Sequence, residues 1–164
     1  MALIMIHFQS EIPDETVAIL AASDFSLDGV SYNPETVLDA VRLMVRAGSM
    51  AIFHSGPLVV LIRALSPHIG VIHFAFAPSP SPFALLRAGR EFVRWAREGT
   101  TYHRLEGRTA NLRLALLATH CGAEIEGIRR ESCRMPDGSM ADEYELGYIL
   151  GNPSAIPAGE GSKH

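Results

Sequence analysis

Arg87, Arg90, Arg94 and Arg97 stand three, four and three residues apart, the spacing that gathers side chains onto one face of a helix. Like charges so placed repel by about 0.2–0.5 kcal/mol per pair unless acids or a partner balance them. Glu91 and Glu98 flank the row and offset part of it. The row reads either as a solvated face or as a docking face for acidic protein surface, nucleic acid or a phosphate group. Trp95 beside it serves the core or anchors an interface. Proton transfer is the second chemistry on offer. His73 carries an imidazole whose reference pKa near ~6.5 lets it take a proton from an amine. Its plain alternative is a ring satisfied inside a half-buried strand. Glu106 is a carboxylate candidate for the same task, and its plain alternative is a surface acid. Cys121 and Cys133 lack zinc spacing and read as reduced thiols of an intracellular protein, so no metal site is expected.

These residues need elements to hold them. Leu3 to Phe8 is a short apolar run, a first strand rather than a signal peptide because it lacks a basic leader. Pro13-Asp14-Glu15 opens a helix running to about Ala22, with proline and two acids suited to the first turn. Ser23 to Asn33 is polar and reads as a loop. Asn33-Pro34-Glu35 repeats the start signal, and the second helix ends at Gly48. Three β-type runs follow, Met50 to His54, Leu58 to Ala64 and Val71 to Ala77, with connections short enough for an antiparallel meander. His73 lies in the third of these. After Pro78-Ser79-Pro80-Ser81-Pro82 comes a strong helix, Phe83 to Glu98, ended by Gly99, with Phe83 among the residues expected to cover its core side. Thr100 to Leu105 is a strand, Ala110 to Cys121 a helix ended by Gly122. Ala123 to Cys133 and Met140 to Leu150 are strands joined by a turn at Asp137-Gly138. Residues 151–164, rich in Gly, Pro and Ser, read as an irregular tail after one domain, 1–150.

The balance of residues narrows the class of protein. Hydrophobic residues make up 48% and charged residues 20%, enough for a sizeable core. A formal net charge of -4 and only 7% aromatic residues argue against a nucleic-acid-binding protein. Charge is uneven: the first 82 residues are acid-rich, arginines crowd into 83–134, and Lys163 is the lone lysine. No apolar run approaches the ~20 residues of a membrane span. The expected place is the cytoplasm, or a virion.

The order strand, two helices, three antiparallel strands, helix, strand, helix, hairpin resembles the GNAT (GCN5-related N-acetyltransferase) fold over nearly the whole chain. The local likeness is best in Tyr102-His103-Arg104-Leu105-Glu106-Gly107, then Asn111, then Gly122-Ala123-Glu124-Ile125-Glu126-Gly127 and the Asp137-Gly138 turn. It looks most like the ribosomal-protein acetyltransferase branch. At Asn111 and Gly122-Ala123 it is also similar to degenerate GNAT-like internal and virion-associated proteins of short-tailed phages. The resemblance implies an α/β (α+β) fold: a mixed, mostly antiparallel central sheet of about seven strands flanked by about four helices.

The resemblance also says where this chain departs. The family holds the coenzyme pyrophosphate on a glycine-bearing loop whose backbone N–H groups point at phosphate. Here the loop has three prolines and no glycine. Each proline removes a donor and pushes its predecessor to an extended conformation. Ser79, Ser81 and the amides of Phe83, Ala84 and Leu85 are what remains to hold a phosphate. A tyrosine that many relatives use as proton donor corresponds to Ala118, which has no proton to give. The main expectation is therefore a non-catalytic binding or assembly protein with no cofactor, met by another protein or a second copy through the arginine face and the tail. The alternative is an N-acetyltransferase using acetyl-CoA, acting on an amine of a protein or small molecule. In that case His73 or Glu106 takes the proton and Asn111 orients the coenzyme.

Overall fold

The computed structural model describes residues 4–6, 12–22, 26–27, 30–31, 33–135 and 137–151. Its elements are β1 (Ile4–Ile6), α1 (Asp14–Ala22), β2 (Ser26–Leu27), β3 (Val30–Ser31), α2 (Pro34–Arg46), β4 (Met50–Ser55), β5 (Leu58–Ala64), β6 (Ile69–Phe76), α3 (Pro82–Gly99), β7 (Arg104–Thr109), α4 (Leu112–His120), β8 (Glu124–Arg134) and β9 (Met140–Ile149). One seven-stranded sheet has the order β1-β4-β5-β6-β7-β9-β8. Every pairing in it is antiparallel except β6 with β7, which is parallel. The mixed, mostly antiparallel sheet with four helices is the expected α+β class. The tail expected after Leu150 lies, past Gly151, outside the described residues.

The helices begin and end where their sequences say. Asn33 caps α2 by accepting the Glu35 N–H at 2.9 Å, and Pro34 fills the first turn. Gly48, at φ 70°, closes it: its N–H donates to Val45 O and the Ser49 N–H to Met44 O. α4 repeats the device. Asn111 Oδ1 accepts from the Arg113 and Leu114 amides, and Gly122 at φ 98° ends the helix with Ala123 N–H donating back to Ala118 O.

Two expectations are corrected. The Ser23–Asn33 stretch is not all loop, since Ser26–Leu27 pairs with Val30–Ser31 as a two-stranded hairpin. The strand expected at Thr100 to Leu105 starts at Arg104 and runs to Thr109. Residues 100–103 serve the exit of α3 instead: Thr100 Oγ1 donates to Ala96 O at 2.6 Å, Tyr102 N–H donates to that hydroxyl, and His103 N–H donates to His68 O. α3 does end at Gly99, where a Cβ would stand 3.3 Å from Trp95 Nε1, so the glycine makes room for the indole.

Two cores result from the alternation of strand residues. On one face Phe53, Val60, Ile62, Ile72, Leu105, Leu146 and Tyr148 pack under α3 and α4 with Phe92, Trp95 and Ala115. On the other, Ile52, Val59, Leu61 and Ala75 pack under α1 and α2 with Leu20, Leu38 and Val41. Buried His54 ties α1 to β4: the Thr16 hydroxyl donates to its Nδ1 at 2.9 Å and its Nε2–H donates to Gly56 O at 3.0 Å. At the other edge β8 is interrupted by a bulge where Glu131 takes φ 46°. Asp142 holds that bulge, accepting the Glu131 N–H at 3.0 Å and Arg130 Nη1 at 2.5 Å.

Candidate functional site

The parallel pair β6–β7 is where the sheet comes apart. Its ladder runs through Ile69–Arg104, Gly70–Leu105, Val71–Glu106 and Ile72–Gly107, and ends there. Beyond that point β6 stays with β5 as far as Phe76–Leu58, and β7 stays with β9 as far as Thr109–Tyr144. The strands therefore fork, and backbone edges that would face each other face a cleft. Glycines let the last pairs close tightly: a Cβ on Gly107 would meet Ile72 Cγ1 at 3.0 Å, and one on Gly70 would meet Leu105 Cδ2 at 2.8 Å.

Behind the fork, on the α3–α4 side, lies a small cavity of about 30 Å³ bordered by Phe74, Phe76, Leu85, Leu114, Ala118 and Tyr148. Space of that size takes about one water. α3 and α4 close over it because Gly89 lets them touch; a Cβ there would be 2.7 Å from Cys121 Sγ. Burial pushes the Cys121 thiol up, with Arg90 working against that. Tyr148, 3% exposed, also borders this cavity, and burial holds its phenol proton on well above the ordinary tyrosine range. Neither Gly89 nor Tyr148 stood out in the sequence. A glycine inside a helical run and a tyrosine in a strand were the only signals.

At the mouth of the fork stands the N-terminus of α3. Ser81 is its N-cap but makes no side-chain capping bond, and the first turn has no acid. The positive end of an 18-residue helix thus has neither a capping side chain nor a first-turn acid to offset it. The amides of Phe83 and Ala84 have no partner among the described residues. Leu85, grouped with them above, is not available, since its N–H donates to Ser81 O at 3.0 Å. Phe83 does not cover the core either; it is 83% exposed at this mouth. The prolines restrict their predecessors unequally. Ser81 is extended (φ -62°, ψ 133°) as expected, but Ser79 sits at φ 49°, where the chain turns from β6 into α3.

His73 and Glu106 project from the other face of the sheet. Leu105 and Ile72 point into the α3–α4 core, so Glu106 and His73 alternate away from it. Val71 is the register partner of Glu106, and His73 stands two residues, about 6.6 Å, further along β6 at the first step of the fork. Glu106 is not a solitary acid: Arg104 Nε donates to it at 2.8 Å, and Arg104 also grips Glu126 with both Nη groups. That contact pulls the Glu126 carboxyl below its ordinary range and keeps the Arg104 proton on. Next along the face, Arg108 lies 3.6 Å from Glu145. Asn111, at the head of α4, spends its Oδ1 on capping.

The four arginines of α3 do share a side of the helix, but they are not equivalent. Arg87 is held by Glu91 at 3.2 Å, whereas Arg90, Arg94 and Arg97 border an open groove between α3 and the end of α4. The described residues hold no cluster of His, Cys, Asp or Glu suited to a metal, and both cysteines are free and buried. Among the described residues no helix is long and apolar enough to cross a membrane.

A mixed sheet forked between its parallel strands, with helices over both faces, is the GNAT fold, and solved structures bear this out. A chimera of the spermidine N-acetyltransferase SpeG from Vibrio cholerae and hSSAT superposes with a TM-score of 0.65 at 13% identity, covering 91% of this chain and 95% of that one. The ribosomal-protein-S5-alanine acetyltransferase from Vibrio fischeri gives 0.61 at 15% identity, over 90% and 92%. An N-acetyltransferase from Staphylococcus aureus Mu50 gives 0.52 at 15%, over 68% and 76%. No family model and no curated protein matches the sequence. The fold is thus that of the acetyltransferases, at identities too low to carry an activity across. None of these likenesses speaks for a virion role.

Proposed function

We propose that the protein is an acyl-CoA-dependent N-acetyltransferase acting on an amine of a protein or small molecule. The observation that carries this reading is the fork between Ile72 and Gly107 with the uncapped N-terminus of α3 at its mouth. The donor set fits a coenzyme phosphate despite the prolines: the Phe83 and Ala84 amides, the Ser79 and Ser81 hydroxyls and the helix dipole all favour an anion there. Bound in this way, acetyl-CoA supplies a thioester carbonyl open to attack by an amine. Backbone N–H groups of β6 past the fork orient and polarise a carbonyl oxygen. The apolar side chains behind the fork, Phe74, Phe76 and Leu114 among them, limit the water that reaches the acyl end. The Asn111 amide steadies the pantetheine side from the head of α4.

On the opposite face His73 takes the amine proton, directly or through a water. Glu106 is the poorer base, because its carboxylate is tied to Arg104. Amine attack would break the thioester C–S bond, and the departing thiolate would need a proton; Ala118 has none to return, whereas Tyr148, which borders the same cavity, carries one. The similarity to spermidine and ribosomal-protein acetyltransferases supports the class of reaction and an amine acceptor, not a particular one.

A second reading, a non-catalytic binding or assembly protein, draws on two observations, the donor-poor proline loop and Ala118. The readings separate in a thermal-unfolding series with acetyl-CoA. At a hundred times its dissociation constant a ligand stabilises by about 2.7 kcal/mol, so a clear rise in Tm is expected. In an acetyl-transfer assay His73→Ala should cut kcat by about 10² or more, and Tyr148→Phe should lower kcat with KM for acetyl-CoA little changed. No rise in Tm at millimolar acetyl-CoA would sink the enzyme reading and leave the binding protein.

A further inference from the structure

The groove between α3 and the C-terminal end of α4 belongs to neither the fork nor its cavity. Arg97 is fifteen residues into α3 from Pro82, so the groove lies about 12–22 Å from the helix N-terminus. Its volume is about 410 Å³, within the usual range for ligand sites. Val93 and Cys121, 6% and 9% exposed, form an apolar floor. Arg90, Arg94 and Arg97 form one rim, and Glu98 stands at its lip.

What marks the rim is charge held by no direct bond, although Arg94 acts at a distance on Glu91 and helps keep that carboxyl below its ordinary range. None of these three guanidinium groups makes a hydrogen bond or ion pair among the described residues, although Glu98 is four residues from Arg94. By contrast Arg87, one turn earlier, is held by Glu91. The opposite wall is the C-terminal end of α4, whose dipole offsets only part of this charge. The last carbonyls of α4 are already taken: Leu116 O accepts from Thr119 Oγ1 and His120 Nδ1, Ala118 O from the Cys121 and Ala123 amides, and Thr119 O from Gly122. The row therefore carries mutual repulsion that a partner's acids would relieve.

The shape of the row narrows the partner. Along the axis the guanidinium-bearing residues are spaced about 6 Å and 4.5 Å, some 10 Å in all. A row of that length offers more charge than one phosphate balances. Carboxylates on alternate residues of an extended segment, about 6.6 Å apart, can span it. Arginine also favours bidentate pairing with carboxylates. The floor of Val93 and Cys121 suits a small apolar side chain between the acids. The net charge of -4 opposes a long polyanion such as nucleic acid. We propose that the groove bordered by Arg90, Arg94 and Arg97 is a docking site for an acidic, extended peptide segment of another protein. The proposal stands apart from the acetyltransferase reading and survives its failure.

The test is fluorescence anisotropy of the full chain with a fluorescein-labelled octapeptide of alternating Glu and Ala carrying one central Leu. Saturable binding is expected, weakening as salt rises from about 50 to about 300 mM. Arg90→Gln with Arg94→Gln should raise Kd roughly ten-fold or more, while Arg63→Gln, an exposed arginine on β5, should leave it unchanged. Arg94→Glu alone serves as a second variant, and circular dichroism confirms that each is folded. The proposal is overturned by three results: no binding of the peptide, equal binding by the folded groove variants, or tighter groove binding of inorganic phosphate or single-stranded DNA.

Discussion

Ser55 donates its hydroxyl to Glu91 at 2.5 Å and so ties the end of β4 to the middle of α3. That bond, with help from the Arg87 guanidinium, holds the Glu91 carboxyl below the ordinary glutamate value of 4.5. The sign of the pH effect follows. In the unfolded chain Glu91 takes its proton first as pH falls, so the contact contributes fully above about pH 4.5 and is lost as pH drops through the lower folded value. Ser55→Ala should lower stability at pH 7 and flatten the loss of stability below pH 4.5, as read from urea unfolding at several pH values. An unchanged acid limb would show that the bond contributes nothing. Residues acting across long separations, as Ser55 does with Glu91 or Thr16 with His54, leave no local trace in a sequence. Asn111 does leave one, because capping depends only on its next few neighbours.

The connection from β6 to α3 shows what proline chemistry decides and what it does not. Three prolines were expected to stiffen the segment and deny it amides, and Ser81 obeys, extended before Pro82. Ser79 does not: it adopts φ 49°, a conformation that costs a residue with a Cβ about 1–2 kcal/mol. The turn from strand to helix overrides the local preference of the pair. Ser79→Gly should therefore stabilise the protein by up to about 1 kcal/mol in chemical denaturation. A loss of stability would mean that the serine hydroxyl supports the loop. Elements defined by periodicity and stop signals, such as α2 with Gly48 or the β4–β5–β6 meander, were legible. β7 was misplaced by four residues because Thr100 and Tyr102, both good strand residues, are drawn into the exit of α3. The fork was not legible at all, since the point at which two strands part is set by their neighbours β5 and β9.

At the scale of the molecule the sheet is two half-sheets, β1-β4-β5-β6 and β7-β9-β8, joined by one short parallel ladder ending at Ile72–Gly107. The meander and the β8–β9 hairpin pair strands that are adjacent in sequence, while the seam waits for α3 to cross over. Closing it spans a long stretch of chain and carries the larger entropic cost. Native-state hydrogen exchange in low denaturant should find amides bridging β6 and β7 opening below the global unfolding energy, ahead of those between β4 and β5. Equal protection across both would argue for one cooperative unit. The order of the chain adds something further. During synthesis β1, β4, β5 and β6 emerge before β7 has left the ribosome. For that interval the nascent half-sheet shows a bare β6 edge with its apolar face uncovered by α3. The seam between β6 and β7 is, at birth, the margin most in need of a chaperone.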